Sequence, residues 1–546
     1  MEILSCKELK FTYNGAAKPT LTNVSFSVLQ GDVVLLAGLT GSGKSTLLRL
    51  LKKEIAPVGN LEGEITVKGE PQSSTSLQKS ALTLSYVSQN PDTQTVTHKV
   101  SSELAFGLEN LGADPAEITS RVGEMASYFG IEDIYNKDID TLSGGEKQLC
   151  NLCAAAVTAP EILLLDEPAA QLDPIGTHKL FSALRRLNSE LGTTIIIAEH
   201  EPGEIFEICT KVVFLHDGES TCYTSKEDFA KAAYENTSLL GYLPTAVRVT
   251  APLGETAFTV KDAKSILSAR FPAAPSKEQP KKDKKIKDPA FKVSNVYFRY
   301  SREDRDVISE LDLTLNKGEI FAALGSNGCG KTTMLKVLSG ILRPWQGKLR
   351  LDGKALRAFK GNTLYRRNIA LMPQNPYDLF TRPTVAQCLK KVCDDMGTNE
   401  GFEELCSRFE ITGLLEMHPY DLSGGEIQKC AMVKLLLTQP KMLFLDEPSK
   451  GLDPSAKQAV GEVLTELSNQ GTTICIATHD IEFAAKYAHR CGLFFSGRLH
   501  SISGVKEFFS HNRFYTTDAS RIARDVFPHA VTCSELEKSI DESSGR

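Results

Sequence analysis

Short apolar runs alternate with segments of helical spacing along this chain, and the whole pattern occurs twice. In the first half, Phe26 and Val28 alternate with polar residues, 33–39 is a continuous apolar run, and leucines recur over 47–51. Alternation predicts a half-buried strand, and a short continuous run bounded by glycine is typical of a fully buried one. The same order returns from residue 311 onward. Strands alternating with helices predict an α/β fold with a parallel sheet, whose chemistry lies at the carboxyl ends of its strands.

A glycine-rich loop of the form G-x-x-x-x-G-K-[ST] follows the buried run in each half. Its glycines let backbone N–H groups curl around phosphate oxygens, and the N-terminus of the next helix adds positive potential. We predict that both loops bind nucleotide, with Lys44 and Lys331 on the β- and γ-phosphates, and Ser45 and Thr332 offering hydroxyls to Mg²⁺. The predicted contacts are Gly38, Leu39, Thr40, Gly41, Ser42, Gly43, Lys44, Ser45 and Thr46 in the first half, and Gly325, Ser326, Asn327, Gly328, Cys329, Gly330, Lys331, Thr332 and Thr333 in the second.

Three further motifs follow each loop in the same order. They are an L-S-G-G-E segment at 142–146 and 422–426, an apolar strand ending in Asp166-Glu167 and in Asp446-Glu447, and a histidine, His200 and His479. At the end of such a strand, Asp166 and Asp446 emerge beside the phosphates and can hold the Mg²⁺ shell. The adjacent glutamates are placed to polarise the attacking water as general bases. The sequence therefore predicts two magnesium-dependent ATP sites.

The spacing of the motifs indicates the domain organisation. Lys44 and Lys331 are 287 residues apart, and Asp166 and Asp446 are 280 apart, so tandem duplication of an entire domain explains the repeat. A stretch dominated by proline and lysine, 271–285, predicts a linker, because it has little apolar surface to bury. We predict a first nucleotide-binding domain at 1–245, its extension plus the linker at 246–290, a second nucleotide-binding domain at 291–505, and a C-terminal tail at 506–546.

Composition narrows the class of protein. The chain has 546 residues with 41% hydrophobic and 24% charged residues, which is typical of a soluble globular protein. The net charge of −6 gives no general attraction to nucleic acid, so no such partner is expected. Apolar runs fall far below the roughly 18 residues of a membrane helix, and the N-terminus lacks the pattern of a signal peptide. Thirteen scattered cysteines favour reduced thiols, and no second pair joins Cys150 and Cys153 in a zinc site.

Together these motifs resemble the ATP-binding-cassette (ABC) ATPase superfamily over nearly the whole chain, and the serine-glycine-glycine signature is specific to that family. The resemblance implies two tandem P-loop nucleotide-binding domains, each with a parallel-sheet core, an antiparallel β subdomain and a helical signature subdomain. It also implies that the two halves pair intramolecularly, head to tail. ATP on one phosphate loop would then be closed by the partner signature, Ser143, Gly144 and Gly145 or Ser423, Gly424 and Gly425. Both signatures end in Glu, Glu146 and Glu426, where the family more often has Gln.

The same resemblance implies roles for residues that would not stand out alone. Each role falls on one residue per half: Tyr13 and Tyr300 would stack on adenine, Gln89 and Gln374 would sense the γ-phosphate and Mg²⁺, Asp173 and Asp453 would lie in loops linking the two sites, and His200 and His479 would steady the γ-phosphate.

Residues 86–94 and 103–110 resemble the ATPases of energy-coupling-factor (ECF) vitamin and metal-ion importers. This resemblance implies a subunit at the cytoplasmic face of the membrane, driving a separate transmembrane subunit with a small membrane substrate-binding subunit. Segments 89–110 and 374–389 are the predicted docking grooves. The second half keeps Gln374-Asn375-Pro376 but departs from the pattern afterwards.

Two rival functions remain open on the sequence. A soluble twin-cassette ATPase acting on ribosomes would also lack membrane spans, but its interdomain linker is long, charged and helical, whereas prolines break this one. The ATPase of a sugar-type importer usually has one degraded nucleotide site, whereas both sets of motifs here are complete.

Overall fold

The computed structural model describes residues 1–170, 172–200, 203–272, 289–359 and 361–545. Residues 273–285 of the predicted linker lie outside these described residues. The chain forms two compact units, Met1–Pro244 and Thr245–Arg546. No helix among the described residues is both long enough and apolar enough to cross a membrane.

The described residues of the first unit form ten strands and eight α-helices. The strands are β1 (Glu2–Tyr13), β2 (Leu21–Leu29), β3 (Val33–Gly38), β4 (Gly59–Val67), β5 (Glu70–Pro71), β6 (Leu84–Val87), β7 (Ile162–Asp166), β8 (Thr194–Ala198), β9 (Lys211–His216) and β10 (Glu219–Tyr223). The helices are α1 (Lys44–Leu50), α2 (Leu77–Thr83), α3 (Val100–Asn110), α4 (Pro115–Phe129), α5 (Gly144–Ala156), α6 (Pro174–Leu191), α7 (Ile205–Ile208) and α8 (Lys226–Glu235).

The described residues of the second unit repeat this order between two pairs of additional helices, except that α2 has no α-helical counterpart there. Its helices are α9 (Thr245–Thr250), α10 (Val260–Arg270), α11 (Lys331–Leu338), α12 (Val385–Met396), α13 (Phe402–Arg408), α14 (Gly424–Leu436), α15 (Pro454–Asn469), α16 (Ile481–Tyr487), α17 (Val505–His511), α18 (Asp518–Ala523) and α19 (Cys533–Ser544). Its strands are β11 (Pro289–Phe298), β12 (Ile308–Asn316), β13 (Ile320–Leu324), β14 (Gln346–Leu351), β15 (Lys354–Ala355), β16 (Ile369–Met372), β17 (Met442–Asp446), β18 (Thr473–Thr478), β19 (Arg490–Phe495) and β20 (Arg498–Gly504).

The sheet order is the same in both units. The core sheet runs β6-β7-β8-β3-β9-β10 in the first and β16-β17-β18-β13-β19-β20 in the second, parallel except for its last strand. An antiparallel wing of β1, β2, β4 and β5, or of β11, β12, β14 and β15, accompanies it. The central strands are buried throughout, which explains their continuous apolar sequences. The predicted α/β fold is therefore confirmed.

The strand order positions the motifs. In the first unit β3 leads into the phosphate loop, β7 ends at Asp166 and β8 is followed by His200. Since β3, β8 and β7 are parallel neighbours, their carboxyl ends meet at one edge of the sheet. The second unit places the corresponding residues at the same edge of its own sheet.

The segment after Pro244 packs within the second unit, against the C-terminal tail. Buried side chains of α9 and α10, such as Val249 and Leu267, share an apolar core with Ile522 and Leu536 of α18 and α19. Helix α10 packs against α18, and α19 packs against α9. The two helix pairs therefore cover each other's apolar faces in a reciprocal arrangement.

Candidate nucleotide sites

Both phosphate loops have the geometry of an anion cradle at a helix N-terminus. Gly43 has φ 97° and Gly330 has φ 105°, in the left-handed region that favours glycine. A Cβ at Gly43 would lie 2.7 Å from Leu21 Cδ2, so a larger residue would have to displace that side chain and also adopt a strained φ. The Lys44 ammonium donates to the carbonyls of Gly38 (2.9 Å) and Leu39 (3.0 Å). The loop therefore holds its lysine over the cradle.

The second loop reproduces this arrangement. Lys331 Nζ donates to the carbonyls of Gly325 (2.8 Å) and Ser326 (3.0 Å), and it lies 3.9 Å from Glu447 Oε1. Cys329 is partly exposed within this loop, and burial raises the pKa of its thiol. We infer that Cys329 is neutral at pH 7.

A hydroxyl and a carboxylate meet beside each cradle, and these are oxygen ligands that suit Mg²⁺. Ser45 Oγ donates to Asp166 Oδ1 at 2.9 Å, and Thr332 hydrogen-bonds to Asp446. Both carboxyl groups are buried, and burial raises both pKa values, that of Asp446 to about 6. A buried carboxylate facing a hydroxyl fits a divalent cation, because the cation would supply the charge that desolvation leaves unbalanced.

In the first unit, Glu167 connects the histidine to the glutamine segment. Its Oε1 lies 2.7 Å from His200 Nε2, and Gln89 Nε2 donates to its Oε2. Burial alone would raise the pKa of Glu167, but His200, Lys44 and Gln89 together lower it. The lowered pKa favours the ionised carboxylate, which is the form that a general base requires. The backbone of Glu167 is in the left-handed region, with φ 46°.

In the second unit, different residues hold the equivalent glutamate. Thr478 Oγ1 donates to Glu447 Oε2 at 2.9 Å, and the backbone N–H of His479 donates to the same oxygen at 3.3 Å. His479 Nδ1 lies 2.9 Å from Glu447 Oε1. Burial opposes ionisation, but His479, Lys331 and Thr478 lower the pKa of Glu447. Gln374 is exposed, and it makes no hydrogen bond to Glu447 in the part of the chain that the structure describes.

Each signature begins a helix through a reciprocal cap. Ser143 Oγ is 2.7 Å from Glu146 Oε2, and the N–H of Glu146 donates to Ser143 Oγ at 3.3 Å. Ser423 and Glu426 form the same pair at 2.7 and 3.4 Å. The signature glutamates thus form capping boxes at the starts of α5 and α14. Gly144 and Gly145, and Gly424 and Gly425, form the first turns of these helices.

The remaining predicted residues lie close to these elements. Tyr13 OH and Tyr300 OH are each 2.9 Å from a threonine hydroxyl that follows the phosphate loop, Thr46 and Thr333. Asp173 and Asp453 are the N-caps of α6 and α15. These contacts lie within one unit in every case.

Sequence reasoning missed several residues around the candidate sites. Tyr86 donates its hydroxyl to Asp166 Oδ2 at 3.0 Å, across neighbouring strands β6 and β7. Thr478 was also missed, although it directly precedes His479. Tyr86 lies in the ECF-like segment 86–94, but no role was assigned to it, and Thr478 belongs to none of the motifs identified in the sequence. For both residues the available signal was the position at a strand end beside the predicted site residues.

A family model described as ABC transporter matches residues 21–170 and 308–450, more than half of the chain. The chain belongs to the ABC transporter family. As a member it is an ATPase that binds ATP with Mg²⁺, and ATP-binding proteins of this family usually work with transmembrane subunits. Membership confirms the predicted superfamily, enzyme class and cofactors.

Relatives match nearly the full length of this ABC ATPase. A Bacillus anthracis protein named "Putative ABC transporter ATP-binding protein" is 36% identical over 535 residues, 97% of each chain. A Streptomyces avermitilis protein of the same name is 32% identical over 525 residues, covering 90% of this chain and 92% of the relative. These names support the ATP-binding role without naming a cargo.

Two solved structures are similar to this ABC ATPase. The cbiO1 protein of Clostridium perfringens, part of the transporter complex cbiONQ, is 29% identical, with a TM-score of 0.37 over 41% of this chain and 92% of its own. The archaeal ribosome recycling factor aABCE1, solved with ribosomal stalk protein aP1, is 21% identical, with a TM-score of 0.60 over 98% of each chain. The second likeness shows that the twin-cassette fold is shared.

Replacing Asp446 by Asn is expected to stabilise the Mg²⁺-free ABC ATPase at neutral pH. The folded-state pKa of about 6 lies above the ordinary value of 3.8, so the cost of ionising Asp446 is absent well below pH 4, grows between pH 4 and pH 6, and is complete above pH 6. Asp446→Asn should add about 2 kcal/mol to the free energy of unfolding at pH 7.5. Thermal unfolding in EDTA at pH 7.5 and at pH 5 measures the gain, which should shrink at the lower pH.

Asp394→Asn is the matched control for this prediction, because Asp394 is exposed on α12. It should leave the thermal midpoint unchanged at both values of pH. A gain from Asp446→Asn that stays constant with pH would contradict the role of ionisation.

Proposed function

We propose that this chain is the ATP-hydrolysing subunit of an ECF-type importer for a vitamin or metal ion. In this proposal the two halves pair head to tail to form two composite ATP sites at the cytoplasmic face of the membrane. They drive a separate transmembrane subunit, which works with a small membrane substrate-binding subunit. The observation that carries the proposal is the hydrogen bond that the Gln89 side chain donates to Glu167. This hydrogen bond joins the predicted docking segment to the proposed catalytic base.

Each half would use its own residues in the same sequence of roles. The phosphate loop and its lysine bind the β- and γ-phosphates, while Tyr13 or Tyr300 stacks on adenine. Ser45 with Asp166, or Thr332 with Asp446, would hold Mg²⁺ together with Gln89 or Gln374, and the ion supplies charge neutralisation at the phosphates. Glu167 or Glu447 accepts a proton from the attacking water, and His200 or His479 steadies the γ-phosphate.

The segment after Gln89 is built to transmit movement to the signature helix. Asp92 pairs with Lys147 of α5 at 2.6 Å, and Asn151 of the same helix donates to the Pro91 carbonyl at 3.0 Å. Gln94 ties this segment back to the end of β6, because its side chain accepts from the N–H of Ser88 at 2.8 Å and donates to the Tyr86 carbonyl. A displacement of this segment would therefore reach Glu167 through Gln89, and α5 through Lys147.

The second half makes the corresponding link with aromatic rings. Tyr377 stacks on Tyr420 with 5.2 Å between centroids and 9° between planes, and its hydroxyl donates to the Leu422 carbonyl at 3.0 Å. Leu422 directly precedes the signature Ser423. This stack supports the proposal that both glutamine segments move with their signatures.

An exposed aromatic residue on α3 provides the test of docking. Phe106 is 38% exposed within the predicted groove, whereas Leu104 is fully buried. A photoreactive benzoylphenylalanine at position 106 should crosslink to an integral membrane protein in native membranes. Tyr234 on α8 is the matched control, because it is also 38% exposed but lies outside the groove.

The identity of the crosslinked partner decides between the functions. A membrane protein crosslinked from position 106 but not from 234 supports the importer. Ribosomal proteins captured from position 106 would instead favour the ribosome-acting alternative, and crosslinks confined to this chain would contradict docking on α3.

A further inference from the structure

Each candidate catalytic glutamate contacts the histidine of its own half, but the side chain that donates the second hydrogen bond differs between the halves. In the first unit the side chain of Gln89 donates to Glu167, whereas in the second the hydroxyl of Thr478 donates to Glu447. Thr478 and Glu199 are equivalent, because each directly precedes the histidine of its half. Glu199 has a different hydrogen-bond partner, because its Oε1 accepts the backbone N–H of Ala169 at 3.1 Å. The pairing of Thr478 with glutamate is therefore specific to the second half.

The direction of the Thr478 proton is fixed by its surroundings. Thr478 ends β18 and is completely buried. Its oxygen accepts the backbone N–H of Asp480 at 3.0 Å, so its own proton is free to point at Glu447. The threonine is thus both donor and acceptor, which removes the rotational freedom that an isolated hydroxyl would have.

A buried ion pair between Asp480 and Lys457 fixes the backbone next to Thr478. The Asp480 carboxylate accepts from Lys457 Nζ at 2.7 Å, from Ser449 Oγ at 2.8 Å and from the N–H of Phe483 at 2.9 Å. Lys457 belongs to α15 and Phe483 to α16, so Asp480 ties two helices to the end of β18. The backbone N–H that orients Thr478 therefore has little room to move.

We propose that Thr478 is a positioning residue for hydrolysis at the second ATP site, holding Glu447 in place through its hydroxyl. This inference rests on the proposed role of Glu447 as the general base. Glu447 would be set by its own sheet, whereas Glu167 would be set by the glutamine segment that the proposed membrane subunit touches. The two ATP sites are then not equivalent: hydrolysis at the first depends more strongly on the position of its glutamine segment.

Removal of the hydroxyl tests the proposal in the full-length protein. Thr478→Val should lower kcat for ATP about tenfold, because a hydrogen bond to a charged group is lost from the reacting arrangement. KM should stay within about twofold, as should the affinity for the fluorescent analogue mant-ATP measured without Mg²⁺, because the hydroxyl of Thr478 bonds to Glu447 and to the N–H of Asp480. Thr478→Ser keeps the hydroxyl and should restore most of kcat.

Thr473 offers a matched control on the same strand. It is also buried, and its hydroxyl accepts from the N–H of Gly318 and donates to the Asn316 carbonyl, both at 3.2 Å. Thr473→Val therefore removes a similar pair of hydrogen bonds far from the glutamate. It should lower the thermal midpoint as much as Thr478→Val does, while kcat is retained.

The outcomes separate this inference from the proposed function. A loss of kcat in both valine variants, or no rescue by serine, would show a merely structural effect and overturn the positioning role. Retention of kcat by Thr478→Val would also overturn it, provided that Glu447→Gln is inactive. If Glu447→Gln retained full turnover, the proposed role of Glu447 itself would fail.

Gln89→Ala should in addition lower kcat more than Gln374→Ala does, and equal losses would contradict the non-equivalence of the two ATP sites.

Discussion

Replacing Glu447 by Gln is expected to lower ATP turnover about 10²-fold or more, because a positioned general base contributes roughly 10²–10⁴-fold. Glutamine keeps the shape of the side chain and can still accept the hydrogen bond from Thr478, so the loss isolates the carboxylate charge. Glu167→Gln should have an effect of similar size, since Glu167 is also buried and also contacts the histidine of its half. Steady-state phosphate release at saturating ATP and Mg²⁺ measures both.

Glu403→Gln provides the control for charge removal alone, because Glu403 is exposed on α13. Its turnover should equal that of the unmodified protein. If one of the two buried glutamates is replaced and turnover stays near the starting value, the ATP site of that half is structural only. Both variants should still bind mant-ATP, which distinguishes a chemical defect from a binding defect.

The second large effect is expected from the lysines of the phosphate loops. Lys331→Ala removes a buried ammonium held over the cradle, and losing one partner of a buried charge pair typically costs about 2–5 kcal/mol. ATP affinity at that site should therefore fall by about 30-fold or more. In equilibrium titrations with mant-ATP, the number of tight sites should fall from two to one, and Lys44→Ala should do the same.

A lysine of the antiparallel wing serves as the comparison. Lys348 lies exposed on β14, so Lys348→Ala should retain two tight sites. The double variant with both loop lysines replaced should bind mant-ATP at neither site. Two tight sites in Lys331→Ala would contradict the assignment of the second phosphate loop.

Much of the fold follows from local patterns in the chain. Continuous apolar runs predicted the buried strands β3 and β7. A parallel strand that is covered on both faces carries apolar residues at successive positions, so its sequence does not alternate with polar residues. The resemblance implied a helical signature subdomain, and α5 begins at Gly144 with Ser143 as its N-cap. Such features depend on neighbours a few residues apart.

Other features depend on contacts between distant residues and were not predicted. The sequence analysis assigned residues 246–290 to an extension of the first domain plus the linker. In the structure, the apolar side chains of α9 and α10 pack on the C-terminal helices α18 and α19. Arg248 and Glu537 are 289 residues apart and pair at 2.9 and 3.0 Å. No local pattern identifies such a partner, because each helix only shows that it has an apolar face.

The amino-acid sequence by itself determined the α/β class and the duplication, and it predicted the residues of both sites, because these conclusions rest on strand burial and motif order, which are read along the chain. Only the tertiary structure decided how each glutamate is held. Gln89 and Glu167, like Thr478 and Glu447, meet because parallel strands and their loops end at one edge of a sheet. A hydrogen bond needs its two atoms within about 3 Å, and that proximity arises only when the chain has folded.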